Sequence, residues 1–166
     1  MTDDATGVLA FYEGWENYQE LLIKALAPLT PEQLALRPAP HLRSISENAR
    51  HIIGARVRWC HAALGLGADD AQYAALGRWD GRDAPERSGA ELVSALRDSW
   101  RVLRAALQSW TPADLAYAVP NTRPEPGEPD TFSRQWIIWH LIEHDLHHGG
   151  EISQLLGINH LPAPDL

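Results

Sequence analysis

The chain of 166 residues is poor in cysteine, in positive charge and in long apolar runs, and each shortage removes a class of function. A single cysteine, Cys60, excludes an intramolecular disulfide framework and any zinc motif built on thiolates. With 14 basic side chains against 22 acidic ones the formal net charge is −8, which leaves no broad basic face for nucleic acid. No apolar run approaches the roughly 20 residues of a membrane span. Residues Met1 to Gly7 lack the basic end and apolar stretch of a signal peptide, so the expectation is a cytoplasmic protein. There is no glycine-rich phosphate loop, no Ser-His-Asp pattern and no segment that alternates like a strand. The length suits one domain, residues 1–166, with a core over 8–158 and a loose tail from His160. Abundance lies elsewhere: there are 7 Trp and 8 His, and four of the histidines, His140, His144, His147 and His148, share one short segment.

Four long segments carry helical periodicity. The first runs from Thr6 to Ala27, with Val8, Phe11, Trp15, Tyr18, Leu22 and Leu26 stepping in threes and fours, and Pro28 and Pro31 end it. The second opens on a capping box, Ser44-Ile45-Ser46-Glu47, and continues to Leu64. The third starts at a similar box, Ser88-Gly89-Ala90-Glu91, and reaches Trp110. The fourth spans Thr131 to Leu156, with Gly157 as its C-terminal stop. Of 12 prolines, nine fall in 28–43 and 111–130; Thr30-Pro31 and Thr111-Pro112 each predict a short helical turn opening on proline. One short helix is expected at Ala71–Leu76, and 120–130 reads as a loop. The pattern predicts an all-α protein, a four-helix bundle with long connections.

On a helix, His140, His144 and His148 climb one face in i, i+4, i+8 order, with Glu151 on the same strip and Leu141, Ile152 and Leu155 beside it. Imidazoles so spaced converge on one cation, and neutral imidazole suits zinc, nickel, copper and iron. A catalytic site wants three protein ligands and an open position. His51, flanked by Ile52 and Ile53 on the second helix, is the third candidate beside His144 and His148. A competing set also fits: His140-Leu141-Ile142-Glu143-His144 has the spacing of inverted zinc peptidases, with Glu143 as base. Only 22 residues follow His144, too few for the rest of a peptidase, so the local pair survives without that fold. A di-iron carboxylate bundle is excluded, because no Glu has a His three residues later. His41, His61 and His160 read as surface residues, and His147 as a solvated or supporting one.

The run Trp-x-x-x-His-x-x-x-His-x-x-His-His-x-Gly, from Trp136 to Gly150, resembles the fourth-helix motif of the DinB-like (YfiT-type) metal-binding four-helix bundles. Glu151-Ile152-Ser153-Gln154-Leu155-Leu156-Gly157 continues the likeness, and Ser44 to Ile53 resembles the family's approach to its first ligand. The resemblance covers residues 8 to 158. It implies that His51, His144 and His148 hold a divalent metal such as zinc or nickel, with water in the remaining positions. It also implies that the second and fourth helices face each other, and that the chain forms a homodimer. Members include S-transferases and isomerases that use low-molecular-weight thiols (bacillithiol, mycothiol or glutathione). One departure is Gly149, where the family often carries Arg after the last ligand. Two successive glycines in a helix cost about 1 kcal/mol each, which points to close backbone packing or site access at Gly149 and Gly150.

The expected partner is therefore a small-molecule substrate, with a low-molecular-weight thiol as co-substrate or water as nucleophile, giving an S-transferase or a hydrolase. Glu143 and Glu151 are the candidates for proton transfer or for orienting ligand rings. Trp59, Trp136 and Trp139 are candidate pocket walls, and Arg50, Arg56, Arg58 and Arg134 candidate contacts for an acidic thiol. Cys60 reads as a buried small apolar residue. The alternatives are a non-catalytic metal-binding or sensing bundle and a purely structural module.

Overall fold

The computed structural model describes residues 7–121, 126–127 and 129–164; the expected helix start at Thr6, Pro124 of the loop and the tail end at Asp165 and Leu166 lie outside them. The described residues are mostly helical: α1 (Glu13–Leu26), α2 (Pro31–Leu34), α3 (Ile45–Val57), α4 (Ala71–Leu76), α5 (Gly89–Ser109) and α6 (Arg134–Ile158). Among them no helix is long and apolar enough to cross a membrane. The starts follow from local chemistry. Ser44 and Glu47 close a capping box on α3, as do Ser88 and Glu91 on α5 and Thr30 and Gln33 on α2, each satisfying two otherwise orphaned backbone N–H groups.

Four boundaries differ from the sequence expectation. The first helix does not begin as α-helix: Val8–Tyr12 is a 3-10 stretch, and Phe11, expected on the apolar face, is 79% exposed. The second helix does not run evenly to Leu64; its last turn, Arg58–Ala63, is π-helical, and here Cys60 is wholly buried while Trp59 stays partly exposed. Thr131 does not open α6. Residues Thr131–Ser133 form β2, paired antiparallel with β1 (Ala118–Pro120) in the register Val119↔Phe132. Each strand buries one side chain, Val119 or Phe132, so three residues carry no legible alternation. Gly157 does not stop α6, which runs on to Ile158. His160 takes the left-handed conformation (φ +57°), its N–H bonding Gly157 O at 3.1 Å and that of Leu161 bonding Leu156 O at 2.9 Å. This is a Schellman ending with histidine in the usual glycine place. Leu161 packs on the core, so the tail is tied down at its start.

The core forms two apolar clusters. One gathers Leu22, Ile52, Ile53, Leu96 and Ile152; the other Trp15, Val57, Trp100, Ile138 and Leu141. Between them, at one level on each of the four long helices, sit Gln19, Arg56, Ser99 and Asp145, all 0% exposed. Arg56 Nε donates to Asp145 Oδ1 and Oδ2 at 3.1 and 3.0 Å, and Nη2 to Oδ2 at 2.6 Å. Its Nη1 donates to Gln19 Oε1 at 2.6 Å, and Trp15 Nε1 donates to Asp145 Oδ2 at 2.6 Å. α1, α3 and α6 are thus pinned to one another through a single carboxylate–guanidinium pair.

Removing one member of a dry ion pair strands the other charge. Asp145→Ala is expected to lower the unfolding free energy by about 3–5 kcal/mol in urea denaturation; a loss below about 1 kcal/mol, the range of a surface pair, contradicts the assignment.

Candidate metal centre

α3 and α6 make the most extensive helix contact in the chain, and His51 of α3 meets His144 and His148 of α6 across it. The three rings form a near-regular triangle, with centroids 4.7 Å apart for His51–His144, His51–His148 and His144–His148. One nitrogen from each lies within 4.8 Å of the others. The i, i+4 spacing puts His144 and His148 one turn apart on the same face. Asp145, one residue beyond His144, points instead into the core and fixes the rotation of α6.

Two of the rings are held by carboxylates. His51 Nδ1 lies 2.7 Å from Asp80 Oδ2, and His148 Nδ1 lies 2.8 Å from Glu151 Oε2. A carboxylate accepts, so Nδ1 of each ring donates and Nε2 keeps its lone pair for a cation. Asp80 is itself clamped by Arg58, Nη1 to Oδ1 at 2.6 Å and Nη2 to Oδ2 at 2.8 Å. Burial alone would raise the Asp80 carboxyl, but the hydrogen bonds from His51 and Arg58 outweigh it and hold it well below the usual carboxylate range. Gly54 lets this happen: a Cβ there would come within 2.8 Å of both Asp80 Oδ1 and Arg58 Nη1.

His144 differs. Its Nδ1 is buried and has no hydrogen-bond partner among the described residues. Burial first, then the neighbouring His51, His148 and His140, push its pKa down to about 3, so the ring is neutral at physiological pH. Burial lowers His148 as well, against the pull of Glu151. Three imidazoles, two oriented by carboxylates and one neutral with an uncommitted buried nitrogen, fit a borderline divalent cation such as zinc or nickel.

The other expected residues fall around this triangle. Glu151 supports His148 and lies 3.6 Å from His147 Nε2; these three form a second close-set donor group sharing His148. Glu143 is exposed and belongs to neither group, so the competing set of His140, Glu143 and His144 is not assembled. His140 stacks on Trp136, 5.0 Å apart at 8°, and Trp136 stacks on Phe132 at 4.1 Å. Trp59 meets both His140 and Trp136 edge-on, so Trp59 and Trp136 do stand beside the histidines. Trp139 does not take part: it is 58% exposed.

None of the four arginines named from sequence is free for an acidic ligand as a whole. Arg56 is sealed against Asp145, Arg58 clamps Asp80, and Arg134 lies over Trp110 and Tyr117. Arg50 is buried, with its terminal nitrogens on Ala84 O, Pro85 O and Glu86. Cys60 is buried and burial pushes its thiol up to about 12, which keeps it protonated and unreactive. Gly149 has a packing reason, because a Cβ there would run into the Tyr18 hydroxyl of α1; an added Cβ at Gly150 meets nothing. Tyr18 therefore fills the space that a side chain at position 149 would need.

Asp80 was missed from sequence. It lies 29 positions from His51 in an irregular connector, where no periodicity marks it.

An imidazole in an unfolded chain titrates near pH 6.5. Below that pH the unfolded state takes up a proton that folded His144 refuses until about pH 3. The stability due to neutral His144 is therefore complete above pH 6.5 and drains away as the pH falls toward 3, with His148 acting in the same sense. Urea denaturation of metal-free protein at pH 7.5 and pH 5 should show this loss, and His144→Gln a shallower one; equal slopes would refute the burial account.

Comparisons with known proteins bear on the family and the fold. The family model of the DinB superfamily matches residues 11–152. The crystal structure of a DinB-like protein from Bacillus cereus ATCC 10987 superposes with a TM-score of 0.71 at 24% identity, covering 97% of this chain and 98% of that one. At that identity the likeness speaks for the fold. No curated protein matches in sequence.

Proposed function

The chain belongs to the DinB superfamily, and on that premise we propose that it is a metal-dependent enzyme of the four-helix-bundle type, with His51, His144 and His148 as the three ligands of one divalent cation. The observation that carries the proposal is the triangle of imidazoles, two of them backed by carboxylates. These three residues would hold a zinc or nickel ion, which would supply the Lewis acidity to activate water or a low-molecular-weight thiol near neutral pH. The reaction class is transfer to such a thiol, or hydrolysis, of a small-molecule substrate.

The chain's own residues do the positioning. Asp80 accepts the Nδ1–H of His51 and keeps the ring turned toward α6. Glu151 does the same for His148 through Oε2, and its Oε1 lies 3.6 Å from His147 Nε2 on a partly exposed side chain. That oxygen is the one we assign to proton handling; Glu143, exposed and apart, takes no role. Trp59, Trp136 and His140 form an aromatic wall that limits water on one side.

Protein purified without an affinity tag should carry one equivalent of metal by mass spectrometry, and His51→Ala should lose it. Asp80→Asn should weaken zinc binding about 10–100-fold, the usual cost of losing a carboxylate behind a ligand histidine. Metal-free wild-type protein that takes up no zinc would refute the centre. Full metal content with no turnover across thiol-donor and ester panels would favour a binding or sensing protein over an enzyme.

A further inference from the structure

Beside the histidine triangle, the loop Arg37–Arg43 and the turn after α4 enclose a cleft of about 260 Å³. Its wall carries four arginines, Arg37, Arg43, Arg50 and Arg82, against two carboxylates, Glu47 and Asp80. Both carboxylates are already answered. Glu47 lies 3.3 Å from Arg37, and Asp80 is clamped by Arg58 and His51. Arg43 and Arg82 are exposed and have no hydrogen bond or ion pair with any described residue. Arg50 is 95% buried by its 5% exposure, and its Nε is buried with no acceptor among the described residues. An unanswered guanidinium nitrogen in a dry wall is costly, and a bound acceptor removes the cost. On a protein of net charge −8 this is a local reversal of sign.

The cleft is joined to the centre by contact. Asp80 lines the cleft with one face and holds His51 with the other, at 2.7 Å. Arg43 also lines the neighbouring cleft in which Glu151, the support of His148, takes part.

We infer that the cleft between Arg43, Arg50 and Arg82 is a binding subsite for an oxyanion, a carboxylate or phosphate group carried by the small molecule that reacts at the three-histidine centre. Planar forked donors suit both groups, and two unpaired arginines beside a buried third give a site for one anionic group. The inference rests on the proposed metal centre only for the word substrate. The subsite itself stands on its own residues.

Calorimetric titration of inorganic phosphate and, separately, of succinate into the full chain tests it, at low ionic strength and both with and without zinc. Saturable one-to-one binding of at least one probe is expected, with and without the metal. Arg43→Gln and Arg82→Gln should each weaken it about 10-fold, the loss of one charge-assisted bond. Both residues are exposed, so folding and zinc content should stay as in the wild type. Preference for phosphate would point to a phosphate ester, and preference for succinate to a carboxylic acid; either supports the subsite. Absence of saturable binding for both probes, or unchanged affinity in both variants, overturns it. Anion binding in a protein that takes up no zinc would remove the metal centre and leave the subsite standing.

Discussion

The buried pair of Arg56 and Asp145 is the constraint on which the rest depends. Apolar side chains pack in many registers with little difference in energy, but a dry carboxylate and a dry guanidinium tolerate only the arrangement that pairs them. Here the pair ties α3 to α6, and the added bonds from Trp15 and to Gln19 bring α1 into the same register. Two apolar clusters, one on either side of this polar layer, then supply the area-dependent stabilisation that the pair alone does not. The layer is an instance of buried charge specifying register more than adding stability.

That register is also what assembles the histidines. His51 lies five residues before Arg56, and His144 and His148 flank Asp145 on α6. Sliding one helix along the other by a turn would move His51 about 5.4 Å from its partners. Glycine completes the approach at two points. Gly54 admits the Asp80–Arg58 clamp to α3, and Gly149 admits the ring of Tyr18 to α6. Burial then keeps His144 neutral, and the Nδ1 atoms of His51 and His148 find carboxylates. The centre is therefore built from the inside out, from core pair to helix register to ring orientation.

Much of the fold was legible in the sequence because its signals are local. The capping boxes at Ser44 and Ser88, the short helix Ala71–Leu76 and the middle of each long periodic stretch lie where the residues indicated. The histidine strip of α6 was legible for the same reason, since i, i+4 spacing is a property of one helix. What escaped is non-local or too short. Asp80 reaches His51 from another element, and β1 and β2 have three residues each. The π-helical turn at Arg58 and the left-handed His160 depend on packing that no spacing reveals. Arg56 and Asp145 did leave a trace: each stands on the apolar stripe of its helix, where an opposite charge on another stripe is the economical explanation.

Two helices held in register by a buried ion pair bring three imidazoles together, the arrangement proposed to hold one cation. X-ray absorption on the zinc-loaded, tag-free protein tests it most directly. Three imidazole nitrogens at about 2.0–2.1 Å and no sulfur are expected in the wild type, with this signal abolished in His51→Ala, which should hold no zinc. Two or fewer imidazoles in the wild type, or a spectrum unchanged by His51→Ala, would contradict it.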